Sequence, residues 1–384
     1  MKKIAIVLFL SLSLLFTSNS NLNAQTIHSF GNMVKSVYDA NNDGVVDEAE
    51  TLSSSDTSRA TITTQNISKT VGSDGDYSTI QDAFNDLPNL IAHTVTFTIK
   101  KGTYTDTLDT TSLKAITTTP NGRIIVQAEK YLDEIGTATG ADATYLEDTT
   151  KSWTINEWQG CWVFIVDGTG TDNGMVEITS NDATKLYVSS WPGTQPDNTS
   201  RFMISGVKYD YGNIYTGWKF KYWQSKTVIK GIFFNSSNNN SYPIVAHLVI
   251  PESTSPDFQV LHCGFWKGNR AFTTVGVNDN FSPSSVALRV EYCGAVGQSL
   301  RSYEIRMNGV IAHIGYSAVS DSVYGIYVTE GSHVKMKDCF GSNNTLYGVE
   351  VNNRSAGQYQ GTIPSGNSAN SHADNSSWFG FGYY

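Results

Sequence analysis

The chain has 384 residues, a formal net charge of −9 and a pI near 5.2, which argues against nucleic acid, whose binding needs clustered Lys and Arg. Only 16% of residues are charged, and Thr, Ser, Asn, Gly and Tyr stand where a helical protein would carry Ala, Leu, Glu and Lys. The acidic balance also weighs against a polyanionic ligand unless calcium or a local basic patch bridges it.

Lys2 and Lys3 precede an apolar run from Ile4 to Phe16 and a small, polar stretch ending at Ala24. This is the pattern of a secretory signal, residues 1–24, with an apolar core too short to span a bilayer. No later stretch is long and apolar enough for a membrane span. The expected location is secreted or cell surface.

A metal-loop pattern follows. Asp39, Asn41, Asp43, Val45, Asp47 and Glu50 occupy positions 1, 3, 5, 7, 9 and 12 of a twelve-residue loop, with Gly44 at position 6. Oxygens at alternate positions converge on one ion, Gly permits the sharp bend, and the last Glu chelates with both oxygens. The alternative is an Asn/Asp-rich surface turn. Residues 25–52 thus resemble a lone EF-hand or dockerin-like module, with calcium as a stabilising staple rather than a catalytic ion. Residues 53–69 read as a polar linker.

From residue 70 the chain reads as all-β. Ser78 and Gln81 form a capping box for a short helix whose buried face is Ile80, Ala83, Phe84 and Leu87. Val95, Phe97 and Ile99 then alternate inward as in a strand. Gly75, Tyr77, Thr79, Ile80, Gln81, Gly102 and Tyr104, with Asp106 after them, resemble the N-terminal cap and first coil of pectinesterase-type proteins in the pectin-lyase-like superfamily. That resemblance implies a single-stranded, right-handed parallel β-helix over residues 70–384.

Internal repeats agree. Ile229-Lys230-Gly231-Ile232, Val260-Leu261-His262-Cys263, Val290-Glu291-Tyr292-Cys293, Ile311-Ala312-His313-Ile314 and Met336-Lys337-Asp338-Cys339 recur at the spacing of one coil plus a loop. They predict an inward ladder of Ile232, Cys263, Cys293, Ile314 and Cys339. The cysteines then serve as small core residues, or Cys263 and Cys293 form a bridge between neighbouring coils.

Residues 131–205 break the pattern and read as a small inserted β-subdomain. Its Thr150-Lys151-Ser152-Trp153 and Gly168-Thr169-Gly170 segments are similar to parts of tail and appendage proteins. Trp153 and Trp158, with Tyr292 on the coils, are candidate sugar-stacking residues; the alternative is that the tryptophans fill the core of a small sheet. The aspartate and arginine motifs that a pectinesterase resemblance implies are absent, as are those of polygalacturonases and pectate lyases. The candidate chemistry is therefore His262, His313, Asp338, Arg289 and Glu291, with Glu304 and Arg306 one strand further on. A histidine, a tyrosine and an acid in one row suit acid/base work on a glycosidic bond; the alternative is solvated turn residues.

Three functions fit. The first is a secreted or surface protein binding extracellular polysaccharide along a lateral groove. The second is a polysaccharide lyase or glycoside hydrolase. The third is a structural or adhesive protein, with oligomers formed through the aromatic tail Trp378, Phe379, Phe381, Tyr383 and Tyr384.

Overall fold

The computed structural model describes residues 62–381 except 114, 213, 249–257, 277–285, 307–310, 366 and 375. The signal segment and the calcium loop from Asp39 to Glu50 lie outside the described residues.

Three parallel sheets form the walls of a right-handed β-helix. Wall A has ten strands, from Ile67–Val71 to Trp378–Phe381. Wall B has six, from Gly102–Tyr104 to Ala318–Ser320, and wall C eight, from Leu108–Asp109 to Ala369–Ala373. Alternation makes the walls: in Thr94–Ile99 the buried positions are Val95, Phe97 and Ile99, as the sequence predicts. Wall A begins at Ile67, inside the stretch read as linker, and Thr63 accepts hydrogen bonds from the Ala92 and His93 amides there. The cap helix spans Ile80–Asn85, but its N-cap is Thr79, one residue later than expected; Thr79 Oγ1 accepts from the Asp82 amide at 3.1 Å. Asp106 serves the same helix, accepting from the Ile80 amide at 3.0 Å.

One residue in the left-handed region turns wall A into wall B in each of the later coils. Gly231, His262, Tyr292, Tyr316, Asp338 and Gly361 hold this corner, with φ between +47° at Asp338 and +74° at Gly361. Cross-strand pairing places Val290 opposite Ile314 and Ile314 opposite Met336. The fourth repeat is therefore Ile314-Gly315-Tyr316-Ser317, three residues later than the sequence reading. The inward ladder is Ile232, Cys263, Cys293, Ser317 and Cys339, each fully buried. Ser317 Oγ satisfies itself by donating to the Gly315 carbonyl at 2.8 Å and accepting from the Cys293 amide at 3.2 Å. Cys161, Cys263, Cys293 and Cys339 are free thiols, and burial pushes the Cys339 thiol up to about 12.

Residues 136–205 form a seven-stranded antiparallel sheet inserted at the wall A–wall B corner between Arg123–Ala128 and Val207–Asp210. It has its own core, built on Leu146, Trp158, Cys161, Ile178 and Phe202. Its Phe164 packs edge-on against Phe233 and Trp266 of wall B, at 5.8 and 6.0 Å. Gly294 allows the approach, because a Cβ there would sit 2.2 Å from Val166. The insert thereby covers the outer surface of wall B; among the described residues, the lateral faces left open are those of walls A and C.

Candidate functional site

Outward positions of wall A form two rows along the axis. One runs Gln259, Arg289, His313, Lys335 and Gln358; the other runs Lys230, Leu261, Glu291, Gly315, Lys337 and Gln360. Neighbouring rungs lie about 4.8 Å apart. Register brings Arg289 beside His313, and His313 Nδ1 meets Glu291 Oε1 at 2.9 Å. That hydrogen bond is the main cause holding the Glu291 carboxyl below its ordinary range; partial burial opposes it, and the His313, Arg289 and His262 charges reinforce it. Three of the five candidate catalytic residues thus come together.

The other two do not join them. His262 and Asp338 stand on the corner row, three rungs and so about 14 Å apart. Asp338 Oδ1 accepts from the Thr362 amide at 3.3 Å and its hydroxyl at 3.4 Å, closing the next corner. The row itself is an aromatic stack. Tyr131 fills the place of the missing Gly231 side chain, whose Cβ would sit 2.2 Å from the Tyr131 ring. His262 follows at 5.6 Å from Tyr131, then Tyr292 at 5.1 Å and Tyr316 at 4.9 Å, with Lys337 Nζ 5.3 Å from the Tyr316 ring. Tyr292 has a ring on each face, so only its edge can meet a ligand.

Burial is the main cause pushing His262 down to about 4, with the positive charge of Lys230 adding to it while Asp133 and Glu291 oppose. Its Nδ1 is buried with no hydrogen-bond partner. The neutral ring is the form the stack accepts. An unfolded histidine titrates near 6.5, so the unfolded chain binds more protons between about 4 and 6.5. The stability contributed by neutral His262 is therefore complete above 6.5 and falls as pH drops through that window. His262→Phe keeps the stack without the titration. Urea midpoints measured from pH 4 to 7 are expected to vary less steeply in that variant than in the parent; equal slopes would remove His262 as the cause.

Trp158 is 5% exposed and Trp153 is half-buried, edge-on to Phe202 at 6.4 Å. Trp158 belongs to the insert's core and Trp153 packs against it. The sequence reading missed Lys335, Lys337 and Tyr316. In the corrected register Lys335 pairs with His313, Tyr316 stacks on Tyr292, and Lys337 lies two rungs from Glu291 in the same row. Among the described residues, no group of three or more His, Cys, Asp or Glu is placed to hold a metal ion, and no helix is long and apolar enough to cross a membrane.

No family model and no curated protein matches the chain. Among solved structures, the chain is similar to the gp54 tailspike of Acinetobacter baumannii bacteriophage AP22, solved with A. baumannii capsular saccharide: 9% identity, TM-score 0.20, covering 76% of this chain and 64% of that one. It is also similar to the gp61 tailspike of Pseudomonas phage phi297, at 7% identity and TM-score 0.18, covering 74% and 62%. A third is the gp49 tailspike of Pseudomonas phage LKA1, at 8% identity and TM-score 0.18, covering 83% and 69%. The chain spans less than two thirds of the first two tailspikes. Likeness at this level does not bear on what this chain binds.

Proposed function

We propose that this is a secreted or surface β-helix protein that binds an acidic extracellular polysaccharide along wall A, parallel to the helix axis. One observation carries the reading: Lys230, Arg289, Lys335 and Lys337 stand at outward positions of every second rung, with Glu291 as the carboxylate among them, on a chain whose net charge is −9. A basic strip on an acidic protein concentrates anions locally, and rungs in register suit a polymer with repeating units. Titration with uronic-acid and neutral polysaccharides tests it. The acidic polymer is expected to bind, and Arg289→Ala/Lys335→Ala to weaken it about tenfold or more. Undiminished binding by the folded variant would sink the reading.

The Glu291–His313 hydrogen bond favours a second reading, cleavage of the bound glycan. A carboxylate on Nδ1 orients the imidazole and fixes its tautomer. Reducing-end release that disappears in His313→Ala would support it. For the third, adhesive reading, the supporting feature is Trp378, 48% exposed on the last strand of wall A.

The loop Asp39–Glu50 completes the proposal as a calcium staple. Chelation is expected to lower the melting temperature of the full chain while glycan binding persists. If Asp39→Ala abolished binding in a protein that still melts as the parent does, the ion would belong to the site instead.

A further inference from the structure

The aromatic side chains on the two open walls differ in what covers them. On wall C, Arg270, Arg301, Tyr324 and Tyr347 follow one another in register. There Arg270 and Arg301 share the buried Glu304 carboxylate, and Tyr242, Tyr324 and Tyr347 lie against the arginines, Tyr215, His372 and each other. On wall A the corner stack covers Tyr292 in the same way. Trp378 differs from all of these. It is 48% exposed, the only exposed one of the eight tryptophans. Among the described residues, no aromatic ring or cation lies against its indole.

Register places that indole at the end of the basic row of wall A. Gln358 follows Lys335, and Gly380 follows Gln358. Gly380 brings no side chain to the row, and the indole lies across its place: a Cβ there would come 2.8 Å from Trp378 Cζ2. In the adjacent outward row, Ile311, His333, Ala356 and Trp378 follow one another. An open cavity of about 250 Å³ is lined by Ile311, His333, Val334, Lys335, Ala356 and Gln358 of these strands. Pockets for drug-sized ligands run to about 300–1,000 Å³, so this one suits a single sugar ring. Ile311 and Ala356 give it apolar lining, and His333, Lys335 and Gln358 give it polar lining. Lys335 and the indole stand two rungs apart, about 10 Å, as do Arg289 and Lys335.

We propose that Trp378 and this cavity form a subsite for a neutral sugar unit joined to the acidic one, so that the polymer bound on wall A alternates acidic and neutral units. The inference rests on the wall A reading and adds the unit that Arg289 and Lys335 do not specify. The neutral ring lies over Gln358, between Lys335 and the indole, with its apolar side on the indole. Its hydroxyls meet Gln358 and His333, and the carboxylate of the preceding unit meets Lys335. The equal spacing of Arg289 and Lys335 separates the acidic units that they meet by one further unit. A second copy of the chain suits the same indole less well. A stable protein interface buries about 1,200 Å² or more, and among the described residues no other exposed large apolar side chain lies on a wall A strand.

The test uses the full chain and two hexasaccharides, one alternating glucuronic acid with N-acetylglucosamine and one of galacturonic acid alone. The alternating ligand is expected to bind more tightly and to protect Trp378 from hydroxyl-radical oxidation. Trp378→Ala, checked for an unchanged melting temperature, is expected to lose about tenfold in affinity for the alternating ligand and to bind the galacturonic acid ligand as the parent does. No binding of the alternating ligand, binding that leaves Trp378 open to oxidation, or undiminished affinity in Trp378→Ala would each overturn the proposal. So would protection of Trp378 that rises with protein concentration in the absence of ligand, which would give the indole to a second copy. Footprinting of the wild type decides even if Trp378→Ala fails to fold. If Arg289→Ala/Lys335→Ala loses affinity and Trp378→Ala does not, the wall A reading stands and this one falls. The converse result removes the basic strip and keeps the indole subsite.

Discussion

Glu304→Ala is expected to cost about 3–5 kcal/mol of stability, read as a shift of the urea midpoint at constant slope. The reason is the company Glu304 keeps. Removing it leaves Arg270 and Arg301 on neighbouring strands without their shared carboxylate, and both side chains are mostly withdrawn from water, at 16% and 18% exposure. Replacing the whole triad, as Arg270→Met/Glu304→Leu/Arg301→Met, is expected to restore most of the loss, because desolvation and attraction are then removed together. A triple variant as unstable as the single one would show that lost packing, not unpaired charge, is the cause.

A loss of similar size, about 3–5 kcal/mol, is expected for Phe234→Ala. Phe234 is fully buried where the core is most aromatic. It stacks on Phe265 at 5.2 Å and 8°, meets Trp218 edge-on at 5.2 Å, and lies 6.1 Å from both Tyr209 and Tyr211. Rigid rings on adjacent rungs cannot collapse far into the vacated space, so the cavity term persists. A fall below about 1 kcal/mol would mean that the neighbours do close in.

The parallel β-helix was legible because its signal is local. Val95, Phe97 and Ile99 alternate in one strand, and the apolar residues of Ile229-Lys230-Gly231-Ile232 and Val260-Leu261-His262-Cys263 fall in the same wall positions. Register was harder. Ile311-Ala312-His313-Ile314 and Ile314-Gly315-Tyr316-Ser317 overlap, and the first looks the more apolar of the two. Pairing chose the second because Tyr316 takes the left-handed corner, with φ +51°, and because Ser317 meets its own hydrogen-bonding needs inside the core. The shift removed His313 from the corner row and placed it against Glu291, turning a supposed row of four into a dyad. Glu304 and Arg306 were picked out by residue type, but their setting on wall C was not legible. Arg270, Arg301, Tyr324 and Tyr347 are 23 to 31 residues apart between neighbours, and nothing short-range marks Glu304 as buried.

The insert also sets the order in which the molecule can assemble. Most coils pair with the next one about one turn of chain away, but Gly102 pairs with Val207, across the whole inserted sheet. If that segment were an unstructured loop, closing it would slow the start of the solenoid, since distant pairings are the slow ones. As a sheet with its own core, it can fold first and bring Ala128 and Val207 together as the two ends of a finished unit. Nucleation then passes through the insert, and destabilising its core through Leu146 or Ile178 should slow refolding of coils that those residues never touch.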